Sequence, residues 1–244
     1  MKCIYLFICL LLSFSSFAQN QTNQSFNKAK KMLERSVYND HRVTIYCEAA
    51  FDSSKKVIFP EGFQTSKYIK RSKKLEWEHV VPAENFGRTF KEWRDGDAQC
   101  VNSKGKSFKG RRCAEKVNFE YRYMQADMFN LYPAIGAVNA LRSNYNFAMQ
   151  PGEESDFGSC KMKIENRKAE PPEAARGKIA RAYMYMENAY PRYSMSRQQR
   201  QLMNAWDKMY PVDAWECERT KKITALQKGK NEVVQERCIA NDLW

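Results

Sequence analysis

The chain has 244 residues, 43% of them hydrophobic, and carries 41 Lys plus Arg against 28 Asp plus Glu, a formal charge of +13. Enough apolar material is present for a sizeable core, and no stretch reads as a disordered linker long enough to divide it, so one domain over 19–244 is expected. Beyond the first residues no run reaches the roughly 20 apolar residues of a membrane helix, which excludes a spanning protein, and the basic excess points to an anionic partner.

Met1-Lys2, the apolar run Ile4 to Leu12 and the small residues Ser13 to Ala18 form the three parts of a secretory signal over 1–18, with cleavage expected after Ala18. Its removal takes one unit from the +13, because Lys2 is its only charge. Cys3 and Cys9 leave with it, and Cys47, Cys100, Cys113, Cys160, Cys217 and Cys238 remain. In an exported chain six thiols suggest three disulfides, and the absence of any Cys-x-x-Cys pair argues against zinc. Cys100 and Cys113 bracket a polar loop, and closing it is worth about 3 kcal/mol in the chain-entropy model.

Phe26, Ala29, Leu33 and Val37 recur at helical spacing, which predicts a surface helix over Ser25 to Tyr38. Short β-type runs follow at Val43 to Cys47, Lys56 to Phe59 and Leu75 to Val81. From Ala83 to Tyr121 the pattern loosens into a long basic region with Arg88, Lys91, Arg94, Lys104, Lys106, Arg111 and Arg112, and loops of such length in a compact domain are usually functional. Pro133 to Tyr145 reads as a helix with proline in its first turn and Asn130 as its cap. Helices are also expected over Glu173 to Ala189, after Ser196, and over Val212 to Gln227.

Only two histidines occur. His41 follows Asn39 and Asp40 at a turn, where a solvated role suffices. His79 stands beside Glu78 in Glu76-Trp77-Glu78-His79-Val80-Val81-Pro82-Ala83. Phosphodiester hydrolysis needs a base for water, a cation for the phosphate and leaving oxygen, and basic groups to hold the substrate. His79, Glu78 and the basic region suit those roles. Adjacent strand residues face opposite sides, so a phosphate would lie between the histidine and a cation on Glu78. Mg²⁺ keeps several waters and accepts one or two protein ligands. Asn139, the lone amide on a small-sided apolar helix, is the candidate second ligand. The structural alternatives are a strand histidine satisfied by one hydrogen bond and a core asparagine capping a loop. Trp93, Tyr121 and Tyr123 are candidates to stack on bases or to fill the core.

The stretch Glu76 to Ala83 resembles the bacterial endonuclease I family, non-specific periplasmic or secreted nucleases with a ββα-metal active site. The similarity continues through Asp127 to Leu131, Pro133 to Gly136, Val138-Asn139, Arg142 to Asn144, Ala169 to Pro172, Ser196 to Gln199, Asn204 to Trp206, Lys208 to Val212 and Trp215 to Arg219. It implies an α+β fold with a ββα-metal (His-Me finger) core, additional helices and disulfide staples. It also implies His79 as general base, Glu78 and Asn139 as ligands of a divalent cation (Mg²⁺, with Mn²⁺ or Ca²⁺ as substitutes), and products bearing a 5′-phosphate. A loop arginine after glycine holds the phosphate in this family. In Gly110-Arg111-Arg112-Cys113 that role falls to Arg111, with Arg112 as the alternate because the spacing differs. Gln125 stands where the family carries a glutamate that orients the base, and an amide accepts a hydrogen bond without supplying charge. The family's Cys-x-Cys is reduced here to Cys47-Glu48-Ala49, which leaves the pairs Cys47 with Cys160, Cys100 with Cys113, and Cys217 with Cys238. The expected partners are double- and single-stranded DNA and RNA, the expected state a monomer without membrane association, and the expected location periplasmic or secreted. The rival expectations are a catalytically silent exported nucleic-acid-binding protein and a basic protein held on anionic membranes.

Overall fold

The computed structural model describes residues 19–244, so the expected leader over 1–18, with Cys3 and Cys9, lies outside the described residues. Helix α1 (Phe26–Met32) is capped by Ser25, whose hydroxyl accepts from the Lys28 N–H at 3.2 Å, and it continues as a π-helical turn, Leu33–Val37. Ala29, Leu33 and Val37 are fully buried, as their helical spacing requires. The expected strand Val43 to Cys47 does not form. Val43 makes one isolated bridge to Ala50, after which Glu48 at φ 49° and the Ala49 N–H bonded to Thr44 Oγ1 at 3.0 Å turn the chain back. Strands β1 (Ala50–Phe51) and β2 (Val57–Ile58) pair antiparallel, and α2 (Ile69–Ser72) leads to β3 (Leu75–His79).

β3 pairs antiparallel with β4 (Leu131–Ile135), in a register that sets Trp77 opposite Pro133 and His79 opposite Leu131. Here the expected helix start is corrected, because Pro133 lies within β4. Its fixed φ suits an extended segment as well as a helix start, and although it has no N–H to give, its carbonyl accepts from Ile45 N at 2.9 Å. Helix α7 (Gly136–Arg142) begins three residues later. A Cβ on Gly136 would lie 2.5 Å from the Arg71 carbonyl oxygen, so glycine alone lets the helix start against α2 and the base of β3. Asn130 is likewise not a cap of this helix. It ends a 3-10 turn, Met128–Asn130, and its side chain accepts from Val81 N at 2.7 Å and donates to Val81 O at 3.0 Å. β3, β4 and α7 thus form a β-β-α unit with the His79 end of the strand pinned from both sides.

The expected basic loop is more ordered than its composition implies. Buried Phe86, Phe90, Ala114 and Tyr121 anchor helices α3 (Ala83–Gly87), α4 (Lys91–Arg94), α5 (Arg111–Val117) and α6 (Phe119–Gln125), and the irregular part narrows to the segment between α4 and α5. Gly110, at φ 79°, makes the left-handed entry to α5.

Strands β5 (Asn146–Phe147), β6 (Lys163–Glu165) and β7 (Lys168–Glu170) form a small mixed sheet in the order β5-β7-β6, which sequence pattern did not foreshadow. Helices α8 (Glu173–Ala189) and α9 (Arg197–Met209) follow, then α10 (Ala214–Gln227), capped by Asp213. A further helix, α11 (Glu232–Ala240), packs on α10. Buried Arg181 ties α8 to α10 through Glu216 at 2.7 and 2.6 Å. Disulfides join Cys47 to Cys160, Cys100 to Cys113 and Cys217 to Cys238. The architecture is α+β around one large apolar core, with a small satellite of Val212, Val234 and the Cys217–Cys238 bridge. Among the described residues no helix is long and apolar enough to cross a membrane.

Candidate active site

The end of β3 opens on a cleft of about 320 Å³ whose lining includes Glu78, His79, Arg111 and Asn139, residues contributed by β3, α5 and α7. His79 is only 7% exposed, with Phe26 of α1 tilted over its ring at 4.7 Å. Its Nε2 lies 2.8 Å from the backbone carbonyl of Gln125. A carbonyl can only accept, so Nε2 carries the proton and Nδ1 is the basic nitrogen.

The expectation that the Gln125 side chain accepts from the imidazole is therefore corrected. Gln125 is the last residue of α6, where main-chain carbonyls have no intrahelical donor, and that carbonyl takes the histidine bond. The side-chain oxygen instead accepts from Nε and Nη2 of Arg111, both at 3.4 Å, while its Nε2 is buried without a hydrogen-bond partner among the described residues. An amide in place of a carboxylate at 125 thus leaves the bond that orients the base untouched. Burial lowers the His79 pKa from 6.5 to about 3, helped by the Arg111, Arg142 and Lys30 charges and opposed by the Gln125 carbonyl. The ring is neutral at neutral pH.

Glu78 is 3% exposed and turns the other way. Its Oε1 accepts from the Tyr46 hydroxyl and from Arg142 Nη1, both at 2.7 Å, and its Oε2 makes no hydrogen bond among the described residues. Burial pushes the Glu78 carboxyl up, while Arg142 and Tyr46 pull towards the charged form. Arg142, fully buried, also donates to the carbonyls of His79 at 2.9 Å and Val80 at 2.6 Å. One guanidinium thus fixes both the carboxylate and the backbone that carries the imidazole. Neither Arg142 nor Tyr46 was assigned a role from sequence, although a lone arginine three residues beyond Asn139 on an apolar helix is a readable signal.

Asn139 donates through Nδ2 to Glu76 Oε2 at 2.8 Å, and Glu76 Oε1 is in turn held by Arg71 Nε at 2.7 Å. The amide is tethered by its nitrogen, which leaves Oδ1 as the donor atom available to a cation. Glu78 Oε2 and Asn139 Oδ1 are hard oxygen donors on one cleft, a set that fits a Mg²⁺-type ion keeping most of its waters and does not fit zinc. Among the described residues no group of three or more His, Cys, Asp or Glu gathers to hold a metal ion.

Arg111, half-buried at the start of α5, lies in the cleft, whereas Arg112 is exposed and stacks on Phe108 at 5.1 Å outside it. Trp93 also lines the cleft, while Tyr121 is fully buried against Phe86, Phe90 and Trp93. Tyr123 accepts a hydrogen bond from Gln24 at 3.1 Å and is not among the lining residues. Asn130 acts through the Val81 backbone and not in the cleft. His41 stacks on Trp215 at 3.9 Å, apart from this site.

Residues 14–238 match the family described as Endonuclease I. The chain is 38% identical over 238 residues to an extracellular deoxyribonuclease of Aeromonas hydrophila, covering 95% of this chain and 96% of that relative. It is 37% identical over 236 residues to a periplasmic deoxyribonuclease of the same organism, covering 94% and 93%. An Endonuclease-1 of Buchnera aphidicola is 33% identical over 229 residues, covering 91% of this chain and 85% of the relative.

Proposed function

The chain belongs to the Endonuclease I family, and we propose that it is an exported, monomeric, divalent-cation-dependent endonuclease that hydrolyses phosphodiester bonds of DNA, double- and single-stranded, and of RNA. The observation that carries this reading is the meeting of Glu78, His79, Arg111 and Asn139 on one cleft, with the imidazole held neutral and its Nδ1 left basic. The names of the relatives, extracellular and periplasmic deoxyribonucleases, support DNA as substrate and a place outside the cytoplasm.

In this reading His79 Nδ1 takes a proton from the attacking water while the Gln125 carbonyl, at the negative end of α6, steadies the imidazolium that results. Arg111 holds a non-bridging oxygen of the scissile phosphate. Glu78 and Asn139 would hold Mg²⁺, for which Mn²⁺ or Ca²⁺ can stand in. When bound, the cation neutralises charge on the phosphate and on the departing 3′-oxygen. The 5′-phosphate stays on the downstream product. Phosphate contacts through arginine and lysine carry no base information, which suits cutting without sequence preference.

Plasmid nicking with and without EDTA tests the proposal. Nicking with Mg²⁺ that EDTA stops is the expected outcome, and binding without nicking in Mg²⁺, Mn²⁺ and Ca²⁺ would leave a nucleic-acid-binding protein instead. The phosphate contact has its own test: Arg111→Ala should cut the rate on the order of a hundredfold, the size of effect of one transition-state donor. Arg112→Ala should leave it nearly unchanged, and a larger loss in Arg112→Ala would move the role to Arg112.

A further inference from the structure

A second groove, of about 600 Å³, lies beside the catalytic cleft and shares Phe26, Trp77 and Asn139 with it. We infer that this groove is a second phosphate subsite, with Lys30 of α1 and Lys55 of the β1–β2 turn holding the DNA strand where it runs on from the scissile bond. The inference rests on the nuclease reading of the cleft.

Three separate elements deliver the cations. Lys30 comes from α1, Lys55 from the turn between β1 and β2, and Arg111 from the start of α5 across the shared wall. A run of lysines along one helix is ordinarily a solvated face, but convergence from three elements is a product of the fold. Lys30 Nζ lies 4.5 Å from the centre of the Phe26 ring and Arg111 lies 5.1 Å from the same centre, so one aromatic ring supports cations belonging to both sites. Neither Lys30 nor Arg111 has a carboxylate partner within salt-bridge distance among the described residues. The two carboxylates that line the groove are already engaged, Glu34 by Lys55 at 2.8 Å and Glu76 by Arg71 and Asn139.

Lys55 is placed deliberately by the backbone. It sits at φ 69°, uncommon for a residue with a side chain, in a turn closed by its own N–H to the Asp52 carbonyl at 3.0 Å. Its carbonyl accepts from Leu75 N at 2.9 Å, which pins the turn to the first residue of the strand that carries Glu78 and His79. Lys55 has Glu34 as counter-ion, but Lys30 and Arg111 have no carboxylate beside them among the described residues, and like charges so gathered raise the energy of the free protein and are relieved by a polyanion. The Lys30 ammonium shows that cost: burial and the charges of Lys55 and Arg111 hold it below its ordinary pKa.

The test is the salt dependence of duplex affinity, measured with the full mature chain in a His79→Ala background and EDTA so that the DNA survives. Each phosphate contact contributes about 0.9 to the slope of log affinity against log salt. Lys30→Gln and Lys55→Gln should each lower the slope by about 1, Lys30→Arg should retain it, and Lys208→Gln on the exposed face of α9 should change it less. A slope that stays put in Lys30→Gln, or falls equally in Lys208→Gln, would overturn the subsite. Because the slope is read without cutting, failure of the subsite is distinct from failure of the nuclease reading, which shows as absence of nicking by the wild-type protein.

Discussion

His79→Ala should lower DNA cutting by roughly a hundred- to ten-thousand-fold, the range of a single general base, and leave DNA affinity almost unchanged. Affinity should survive because the ring is neutral and buried, so removing it takes no positive charge from the cleft. Nicking rates in Mg²⁺ and fluorescence anisotropy in EDTA separate the two effects. A variant that keeps more than about a tenth of the wild-type rate would remove His79 from the role of base. The depressed pKa adds a pH signature. With the ring titrating at about 3, protonation of His79 cannot slow the enzyme between about pH 7 and about pH 5, so any acid limb there belongs to another group. The sign for stability follows from the same shift. The unfolded histidine takes its proton near 6.5 and the folded one only near 3, so folding loses stability as pH falls through that window. His79→Ala removes that loss, and its melting temperature should depend less on pH there than that of the wild type.

The parts of this site that could be read in the sequence were those whose signal is local. Glu78 and His79 are neighbours in a short apolar run stopped by proline, and Asn139 is an amide among small apolar residues, so pattern alone singles them out. What escaped depends on separation along the chain. Tyr46 reaches Glu78 across 32 residues and Arg142 across 64, and neither distance leaves a periodic trace. Pro133 misled because its fixed φ serves a strand as well as a helix start, and what places it in β4 is its pairing opposite Trp77 of β3, a partner far away in the sequence. Gln125 misled differently. A residue's side chain is visible in a sequence, whereas the carbonyl that binds His79 belongs to whichever residue ends α6. The basic segment from Ala83 to Tyr121 read as a loop because its helices are short and bury too few residues each to set a period. The disulfide pairs came from the family resemblance, since six cysteines alone permit fifteen pairings.

Arg142→Met should be the most damaging single change at the site, destabilising the fold by about 3–5 kcal/mol and abolishing cutting although Arg142 touches no substrate. Methionine keeps the length and apolar stem of the side chain, so the loss is electrostatic and not a cavity. With Arg142 gone, Glu78 is a buried carboxylate whose remaining donor is the Tyr46 hydroxyl at 2.7 Å, and the carbonyls of His79 and Val80 lose the donors that hold the strand end. For a chain of this size the melting temperature should fall on the order of 10 °C. A double variant, Arg142→Met with Glu78→Gln, identifies the cause. It removes the unpaired charge while keeping an acceptor for Tyr46, so it should recover part of the stability and none of the cutting, since the amide is a poor substitute as cation ligand. The pH dependence makes the same point from the other side. Burial already raises the Glu78 pKa, and losing Arg142 raises it further. A carboxyl whose folded pKa exceeds its unfolded value binds its proton more tightly when folded, so the deficit of Arg142→Met should shrink as pH falls towards the ordinary carboxyl range and be largest above it. A deficit that is constant with pH would place the cost in the lost backbone bonds to His79 and Val80. A variant that melts and cuts like the wild type would show that Glu78 holds its place without a counter-ion.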